Sequence, residues 1–258
     1  MEEPKPLSEI DRLWAKLRAI SPARIGLARS GAAVATRDLL AFQLAHAQAR
    51  DAVNDPFDAG ALAADIEARG LDAVRLASSA SDRHAYLARP DLGRRLDEAS
   101  RHALTSGPKS FDIAFVVADG LSAKAVAAHA RPLLDTALPV LIDAGWRIGP
   151  VAIVERGRVA IGDEIGELMG ATLVAVLIGE RPGLTTPNSL GVYLTFAPKV
   201  GRRDAERNCL SNIHPQGMSY EEAAARLAYL CAQARQRKLT GVLLKDESTL
   251  RRPIEKLP

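Results

Sequence analysis

Apolar runs with the composition of buried strands mark the second half of the chain. Residues 112–118 and 173–178 are almost continuously apolar, and a glycine follows each run within two residues. Runs of this length and composition predict strands that are buried on both faces of a sheet. Ser122 predicts the N-cap of a helix at 123–134. A strand, a short glycine-containing turn and a capped helix form the repeating unit of a parallel α/β fold.

The segment before residue 108 has mostly helical periodicity. Apolar positions predict helices at 36–53, capped by Thr36, and at 59–69, ended by Gly70. Residues 74–77 predict a short strand. The predicted fold class is therefore α/β, with three parts: an amphipathic extension at 1–22, a helical N-terminal region at 23–107 and a Rossmann-like parallel-sheet domain at 108–258.

The Rossmann-like domain contains further predicted elements and one long polar passage. Gly162, Gly166 and Gly170 recur every four residues, a spacing that would let a helix lie close to a neighbour. Residues 198–218 show little periodicity, and loops of that length usually bind something. The other predicted elements are a helix at 139–144, strands at 151–154 and 158–161, a helix from an Asp163 cap to Met169, a strand at 192–196, a helix from a Ser219–Glu222 capping box to Gln236 and a strand at 241–244.

The predicted topology also indicates where a ligand would bind. In open α/β sheets, ligands sit outside the carboxyl ends of the strands, at the point where the strand order reverses. Asp119-Gly120 and Gly179-Glu180 both follow predicted strands directly. We therefore expect these two turns to line one crevice.

The amino-terminal segment carries a separate apolar stripe. Residues 7–20 place six apolar side chains on one face of a predicted helix, and Ser21-Pro22 ends the pattern. The stripe consists of Leu7, Ile10, Leu13, Trp14, Leu17 and Ile20. Two interpretations remain open, because such a helix either packs on its own domain or a partner subunit, or docks onto another protein.

Composition places the chain among intracellular globular proteins. It has 258 residues, a net charge of +3 and a pI near 9.0. No Lys/Arg block is interleaved with aromatic residues, so we expect no nucleic-acid partner. No signal peptide pattern and no bilayer-spanning apolar run occurs, so we expect a cytoplasmic protein without a membrane partner. Cys209 and Cys231 are too few for a disulfide framework or a four-cysteine metal site.

Motifs of common catalytic sites are missing from the sequence. No G-x-G-x-x-G follows a predicted strand, and the chain has no Walker A loop, no G-x-S-x-G elbow and no H-E-x-x-H pair. The histidines are scattered, and a lone histidine is more often a surface or core group than a metal ligand. We therefore predict no catalytic residues and no metal ligands on this chain.

A series of ordered motifs nevertheless covers nearly the whole chain after residue 23. They are RIGLARSG at 24–31, ADGLSA at 118–123, RVAIGDEIG at 158–166, GERPGL at 179–184, SLG-Y at 189–193, DAERNC-SNI at 204–213 and LKDES at 244–248. With these motifs the sequence resembles the small subunit of ethanolamine ammonia-lyase.

The resemblance implies an activity, a cofactor and a partner. Enzymes of this family convert ethanolamine to acetaldehyde and ammonia by a radical mechanism that depends on adenosylcobalamin. Asp82-Arg83-His84 begins the cobalamin motif D-x-H-x-x-G but lacks its glycine, which fits a family that binds the cofactor base-on. The resemblance further implies a large catalytic subunit as partner, with six copies of each chain. It also implies packaging in a bacterial microcompartment in some members, where residues 7–20 would dock onto shell or cargo.

Three positions match residues that contact the cofactor in this family, and they are Val159, Glu180 and Cys209. The residues alone allow a plainer explanation for each, namely strand packing for Val159, an ion pair with Arg181 for Glu180, and a buried thiol for Cys209. Two rival functions also remain at this stage. One is a stand-alone nucleotide-binding or regulatory Rossmann-like domain, and the other is a subunit that only holds an assembly together.

Overall fold

A six-stranded sheet with helices on both faces forms the centre of the computed structural model, which describes residues 9–20, 23–27 and 29–248. The helices are α1 (Glu9–Ala19), α2 (Thr36–Asn54), α3 (Ala59–Glu67), α4 (Arg83–Ala88), α5 (Glu98–Ser106), α6 (Ala123–Asp143), α7 (Ile161–Leu168) and α8 (Tyr220–Arg237). The strands are β1 (Arg29–Ser30), β2 (Ala33–Val34), β3 (Ala73–Ala77), β4 (Ile113–Ala118), β5 (Val151–Glu155), β6 (Leu173–Gly179), β7 (Leu190–Phe196) and β8 (Arg207–Ile213). Short 3-10 helices span Leu92–Arg94, Asp204–Glu206 and Gly241–Leu243.

The strand order across the large sheet is β3-β5-β4-β6-β7-β8. The first four strands run parallel, whereas β7 and β8 are antiparallel to their neighbours. The predicted α/β class is confirmed, because the apolar runs form β4 and β6, two fully buried parallel neighbours at the centre. The Rossmann-like description and the division at residues 22 and 107 remain proposals. Strand β3 pairs with β5 across the second of these boundaries.

Alternating side chains of the central strands supply two separate cores. Ala175 and Leu177 of β6 pack on the side of α6 and α8, whereas Val174 and Val176 pack on the side of α7 and α5. We call the second side the α7 face. Antiparallel register places Tyr193 of β7 opposite Val176, and Cys209 of β8 opposite Tyr193, so both belong to the α7 face. Helix α7 lies over β6, and the face remains open at β8, where Cys209 is exposed.

Helix α7 approaches the sheet closely because two of its residues lack a side chain. A Cβ at Gly162 would lie 2.3 Å from Cγ2 of Val176, and one at Gly166 would lie 2.5 Å from Cγ of Pro198. The close approach predicted from the glycine spacing is thus confirmed for these two residues. Gly170 instead adopts a left-handed φ of +61° just after the helix. The predicted Asp163 cap is wrong, since Asp163 lies inside α7 and Ala160 occupies the N-cap position.

Helix α6 is a single helix, although two were predicted at 123–134 and 139–144. It runs through Pro132 and Pro139 without a break. Packing of its long buried face against the sheet and α8 outweighs the backbone hydrogen bonds that the two prolines cannot donate. Within the described ranges, α6 alone is long and apolar enough to cross a membrane, and half of its most apolar window is buried inside the protein.

Two predicted strands do not form. Residues 158–161 make a turn into α7, because distant groups bind the backbone where the turn begins: the Asp119 carboxylate accepts from the Gly157 amide and the Gly93 carbonyl accepts from the Arg158 amide. Residues 241–243 form a 3-10 helix beside the edge of β8. The Asn208 side chain joins the two, because it donates to the Leu244 carbonyl at 2.7 Å and accepts from the Gly241 amide at 2.9 Å.

The polar passage at 198–218 contains a strand that the pattern did not reveal. Strand β8 lies at the edge of the sheet, and its outward residues are polar and exposed. Its buried positions are Arg207, Leu210 and Ile213. That spacing is not the strict alternation by which a half-buried strand is recognised.

Candidate functional site

The three predicted site residues lie on or beside the α7 face. Val159 is in the turn between β5 and α7, and it packs against the same apolar cluster as Tyr193. Glu180 follows β6 directly, at its carboxyl end. Cys209 lies in the middle of β8, and the charge of Glu180 acts on both Cys209 and Tyr193. The fold thus brings Glu180 close to Cys209, 29 positions later in the chain, and places Val159 against the same apolar cluster as Tyr193.

Glu180 joins the ends of three strands. Its amide donates to the Ser189 carbonyl at 3.0 Å, and its Oε2 accepts from the Ser189 hydroxyl at 2.6 Å and from the Asn212 amide at 3.2 Å. The alternative of an ion pair with Arg181 is not found among the described residues. Oε1 of Glu180 accepts no hydrogen bond from the described part of the chain, so one acceptor remains for a ligand.

Cys209 presents an unreactive thiol on the α7 face. It is exposed, and it lies directly opposite Tyr193 in the register of β7 with β8. Desolvation by neighbouring groups raises the pKa of the Cys209 thiol, and the Glu180 charge raises it further. A thiol with a raised pKa stays protonated at neutral pH and is a poor nucleophile. The alternative of a buried structural thiol is wrong for Cys209, but it fits Cys231 of α8.

Val159 is held at the amino-terminal end of α7 by the turn that precedes it. The turn begins at Arg156, which has a left-handed φ of 56°. The Gly157 amide donates to Oδ1 of Asp119 at 3.1 Å, and the Arg158 amide donates to the Gly93 carbonyl at 2.7 Å. Because the turn does not form a strand, strand packing does not explain Val159. The half-buried side chain instead lies where the turn meets the α7 face.

The turns after β4 and β6 lie side by side, as predicted, but they do not enclose an open crevice. The Leu121 amide donates to the Gly179 carbonyl at 3.0 Å. A Cβ at Gly120 would lie 2.4 Å from that same carbonyl oxygen. Backbone therefore fills the space between the two turns, and the part of the site that a ligand could reach is the α7 face itself.

The groups on this face suit a large ligand that carries amide groups. Glu180 offers an acceptor, Tyr193 and Cys209 offer a hydroxyl and a thiol, and Val159 offers apolar surface. A cavity of about 580 Å³ lies next to this face. It is lined by Ala160, the neighbour of Val159 in the chain, and by Arg94, Arg95, Arg202 and Arg203 among others. Within the described part of the chain, no three His, Cys, Asp or Glu residues come together as metal ligands.

Sequence reasoning missed several residues that complete this site. Tyr193 lies between Glu180 and Cys209, while Ser189 and Asn212 hold the Glu180 carboxylate. Tyr193 lies within a predicted strand, and its alternation with Val192 and Leu194 could have placed it on the opposite face from them. No local signal identifies Ser189 or Asn212, because their role depends on the pairing of β7 with β8.

Comparison with known proteins relates almost the whole chain to one family. Residues 11–245 match the family of the ethanolamine ammonia-lyase light chain. The chain is 55% identical to the ethanolamine ammonia-lyase small subunit of Azotobacter vinelandii over 245 residues, which cover 93% of this chain and 90% of that protein. It is 52% identical to the small subunit of Pseudomonas fluorescens, with 96% and 91% covered, and 55% identical to that of Xanthomonas campestris, with 91% and 88% covered.

Proposed function

Because the chain belongs to the family of ethanolamine ammonia-lyase small subunits, we propose that it helps to bind adenosylcobalamin at the interface with a large catalytic subunit. The complex converts ethanolamine to acetaldehyde and ammonia. We further propose six copies of each chain, base-on cofactor binding and a cytoplasmic location, in some cells within a bacterial microcompartment. The family match favours this function over a stand-alone nucleotide-binding or regulatory domain.

The observation that carries the proposal is the free Oε1 of Glu180 on a face that also presents Val159 and Cys209. When bound, adenosylcobalamin supplies the radical that abstracts hydrogen from ethanolamine. Oε1 of Glu180 would accept hydrogen bonds from amide groups of the cofactor, and Tyr193 and Cys209 would form the adjoining wall. Val159 contributes apolar contact. The substrate and the groups that act on it belong to the large subunit in this proposal.

Reconstitution with a large subunit tests the proposed function. This chain and the large subunit from a relative such as Azotobacter vinelandii are purified separately and mixed with or without adenosylcobalamin. We expect acetaldehyde release only when both chains and the cofactor are present. Turnover by this chain alone, or equal turnover without it, would contradict the proposal. A subunit that only holds the assembly together would leave the cofactor affinity of the large subunit unchanged.

We expect Glu180→Gln to weaken cofactor binding to the complex without loosening the fold. Both internal hydrogen bonds of Glu180 go to Oε2, which the glutamine oxygen replaces, while the amide nitrogen replaces the free acceptor Oε1. Loss of one hydrogen bond costs about 0.5–1.5 kcal/mol, and more when the acceptor is charged. Equilibrium dialysis of adenosylcobalamin against the mutant complex measures the change.

Two further variants separate binding from folding at this position. Glu180→Ala also removes the internal partners of Ser189 and Asn212, so it should lower both cofactor affinity and thermal stability. Arg181→Gln alters the neighbouring charge and should leave the cofactor dissociation constant unchanged. The ethanolamine KM should stay near the wild-type value in all three variants. A wild-type cofactor dissociation constant in Glu180→Gln would count against the assigned contact.

We expect deletion of residues 1–20 to leave lyase activity intact and to abolish co-purification with microcompartments. Among the described residues of the stripe, Ile10, Leu13 and Ile20 are exposed, and Trp14 packs against Gly26 of the same chain. Leu7 lies outside the described residues. A short helix with an exposed apolar stripe is unstable alone and gains its order by docking into a groove. Pull-down of compartments from a host that forms them measures the effect.

Point variants test the same docking without removing the helix. Leu13→Asp places a charge in the exposed stripe, whereas Arg12→Asp changes charge beside it. Only the first should reduce co-purification. A truncated complex that aggregates or loses specific activity would show that the stripe packs on the enzyme's own subunits, and would defeat the docking proposal.

A further inference from the structure

The turn that carries Val159 is fixed by groups outside it. Oδ1 of Asp119 accepts from the Gly157 amide at 3.1 Å, and the Tyr86 hydroxyl donates to the Gly157 carbonyl at 3.3 Å. Both polar groups of Gly157 are therefore bound by buried side chains from other elements. Gly157 also lies too close to β4 to carry a side chain, since a Cβ would lie 2.9 Å from Cβ of Ala118.

Asp119 and Tyr86 belong to one connected network with two arginines. Oδ2 of Asp119 accepts from Nη1 of Arg83 at 3.2 Å, and Nη1 also donates to the Gly120 carbonyl at 2.9 Å. The guanidinium groups of Arg83 and Arg158 lie 4.7 Å and 4.3 Å from the centre of the Tyr86 ring. Arg158 further donates to the Tyr86 carbonyl at 2.9 Å. The Asp119 network therefore joins α4, the end of β4 and the turn before α7.

The backbone of Asp119 abuts the second segment of the proposed cofactor site. A Cβ at Gly179 would lie 2.6 Å from the Asp119 carbonyl oxygen, so the residue before Glu180 rests against the backbone of Asp119. The same residue thus contacts two segments: its carboxylate binds the turn that leads to Val159, and its backbone packs against the turn that leads to Glu180. The spacing between these two contacts depends on where Asp119 is held.

We propose that Asp119 is a positioning residue for cobalamin, because it sets the separation of Val159 and Glu180 without touching the cofactor itself. The inference rests on the proposed function. A ligand as large and rigid as a corrin needs its contacts at fixed separations, and a small displacement of one contact weakens binding. Asp119 supplies that fixed separation from beneath the site.

The buried charge of Asp119 has a free-energy cost for folding. Asp119 is only 4% exposed, and burial raises its pKa to about 6, although Arg83 and backbone amides oppose the rise. The pKa of Asp119 is higher in the folded protein than its ordinary value. The ionised carboxylate present at neutral pH therefore stabilises the fold less than the protonated form would.

The fold contains a matched control at the other end of β4. Asp112 precedes β4, and its Oδ2 accepts from the Arg147 amide at 2.9 Å, just as Asp119 accepts from the Gly157 amide. Both carboxylates hold a backbone amide of the segments that flank β5, and both have an arginine partner. Asp112 lies at the amino end of the sheet, far along the strand from Val159 and Glu180. A substitution there loses the same kind of contact without moving the proposed site.

The experiment compares cofactor binding by assembled complexes. Complexes of the large subunit with wild-type, Asp119→Ala, Asp119→Asn or Asp112→Ala small subunit are isolated by size exclusion, and adenosylcobalamin binding is measured by equilibrium dialysis at pH 7.5. Asp119→Ala should raise the dissociation constant roughly tenfold, as expected for loss of one hydrogen bond to a charged acceptor. Asp119→Asn keeps an oxygen for the Gly157 amide and should raise it about threefold. Asp112→Ala should remain within about twofold.

The pH dependence provides a readout that a structural role would not change. Asp119 is faced by Arg83 and Tyr86 from α4, and by Glu155 and Arg156 at the end of β5. Arginine does not titrate, and burial raises the pKa of Tyr86 to about 12. Protonation of Asp119 as the pH falls below about 6 removes one acceptor, so wild-type affinity should fall there. The fall should persist in Glu155→Gln and be absent in Asp119→Asn.

The outcomes separate this inference from the proposed function. The positioning role is overturned if the Asp119→Ala complex binds adenosylcobalamin with wild-type affinity. It is also overturned if the affinity of the Asp119→Asn complex still falls below about pH 6, as that of the wild type does. In both cases the proposed function stands. An equal loss in Asp112→Ala also overturns the positioning role, because the effect would then be general destabilisation. Failure of the wild-type complex to bind adenosylcobalamin overturns the proposed function and this inference with it. If Asp119→Ala does not assemble, Asp119→Asn and its pH profile decide.

Discussion

Replacing Asp163 by alanine is expected to destabilise the chain by about 3–5 kcal/mol, because it leaves the buried Arg207 without its main counter-charge. The two side chains are 2% and 1% exposed, and they are joined by two hydrogen bonds of 2.6 Å and 2.7 Å. Arg207 also donates to the Thr195 hydroxyl and the Arg202 carbonyl. Asp204 also lies 3.4 Å from Arg207, but its side chain is 94% exposed and compensates little. Urea unfolding monitored by circular dichroism measures the loss.

A partly exposed pair in the same region provides the control. Arg202 and Glu206 are also joined at 2.6 Å, but their side chains are 32% and 40% exposed. Glu206→Ala should therefore cost less than about 1 kcal/mol. The double variant Asp163→Leu with Arg207→Met should recover most of the loss, since it removes both charges and keeps the volume filled. A loss below about 1 kcal/mol in Asp163→Ala would show that water or Asp204 satisfies Arg207.

Gly179→Ala is expected to cost about 3 kcal/mol or more, or to prevent soluble expression. The new Cβ would lie 2.1 Å from the Ser122 carbonyl oxygen and 2.6 Å from that of Asp119. Both neighbours are backbone atoms, so no rotamer change relieves the clash. Ser122 is also the N-cap of α6, so the strain would pass into the longest helix of the described structure. Soluble yield and thermal midpoint measure the effect.

Gly107→Ala serves as the matched substitution. Gly107 has a φ of −80°, and a Cβ there would meet its nearest atoms at 3.5 Å and 3.6 Å, which is ordinary contact. Its stability should change by less than about 0.5 kcal/mol. Normal stability of Gly179→Ala would mean that the turns after β4 and β6 separate more readily than their close contact suggests.

The sequence predicted elements that are stabilised by burial and missed those stabilised by distant partners. Strands β4 and β6 were predicted because both faces are apolar, and the Ser219 N-cap of α8 was predicted because its signal is local. The reciprocal half of the predicted capping box does not form, since the Glu222 carboxylate binds Arg226 instead. The turn before α7 was mistaken for a strand because Asp119, which fixes it, lies 38 residues earlier. Residue identity cannot reveal such a contact until the order of the strands is known.

The candidate site was predictable in a similar way. Glu180 follows the strand signal of β6 directly, so its position at a strand end followed from the pattern. Its partners Ser189 and Asn212 did not, because they become neighbours only when β7 and β8 fold back on β6. Asp163 resembled a helix cap, yet it is the counter-charge of Arg207, 44 residues later. In a buried pair of this kind, each residue taken alone is of a type that is usually exposed to solvent, so the sequence does not reveal that it is buried.

The 3-10 helix at Gly241–Leu243 has a consequence for how this chain can assemble. An edge strand with unpaired amides and carbonyls is a template for strand addition by another molecule. At β8 the Asn208 side chain engages the backbone of Gly241 and Leu244, and the Thr240 hydroxyl donates to the Glu206 carbonyl. The amino-terminal end of this edge is therefore already occupied by its own chain. Another protein therefore cannot add a strand at this end of β8 while the segment stays in place.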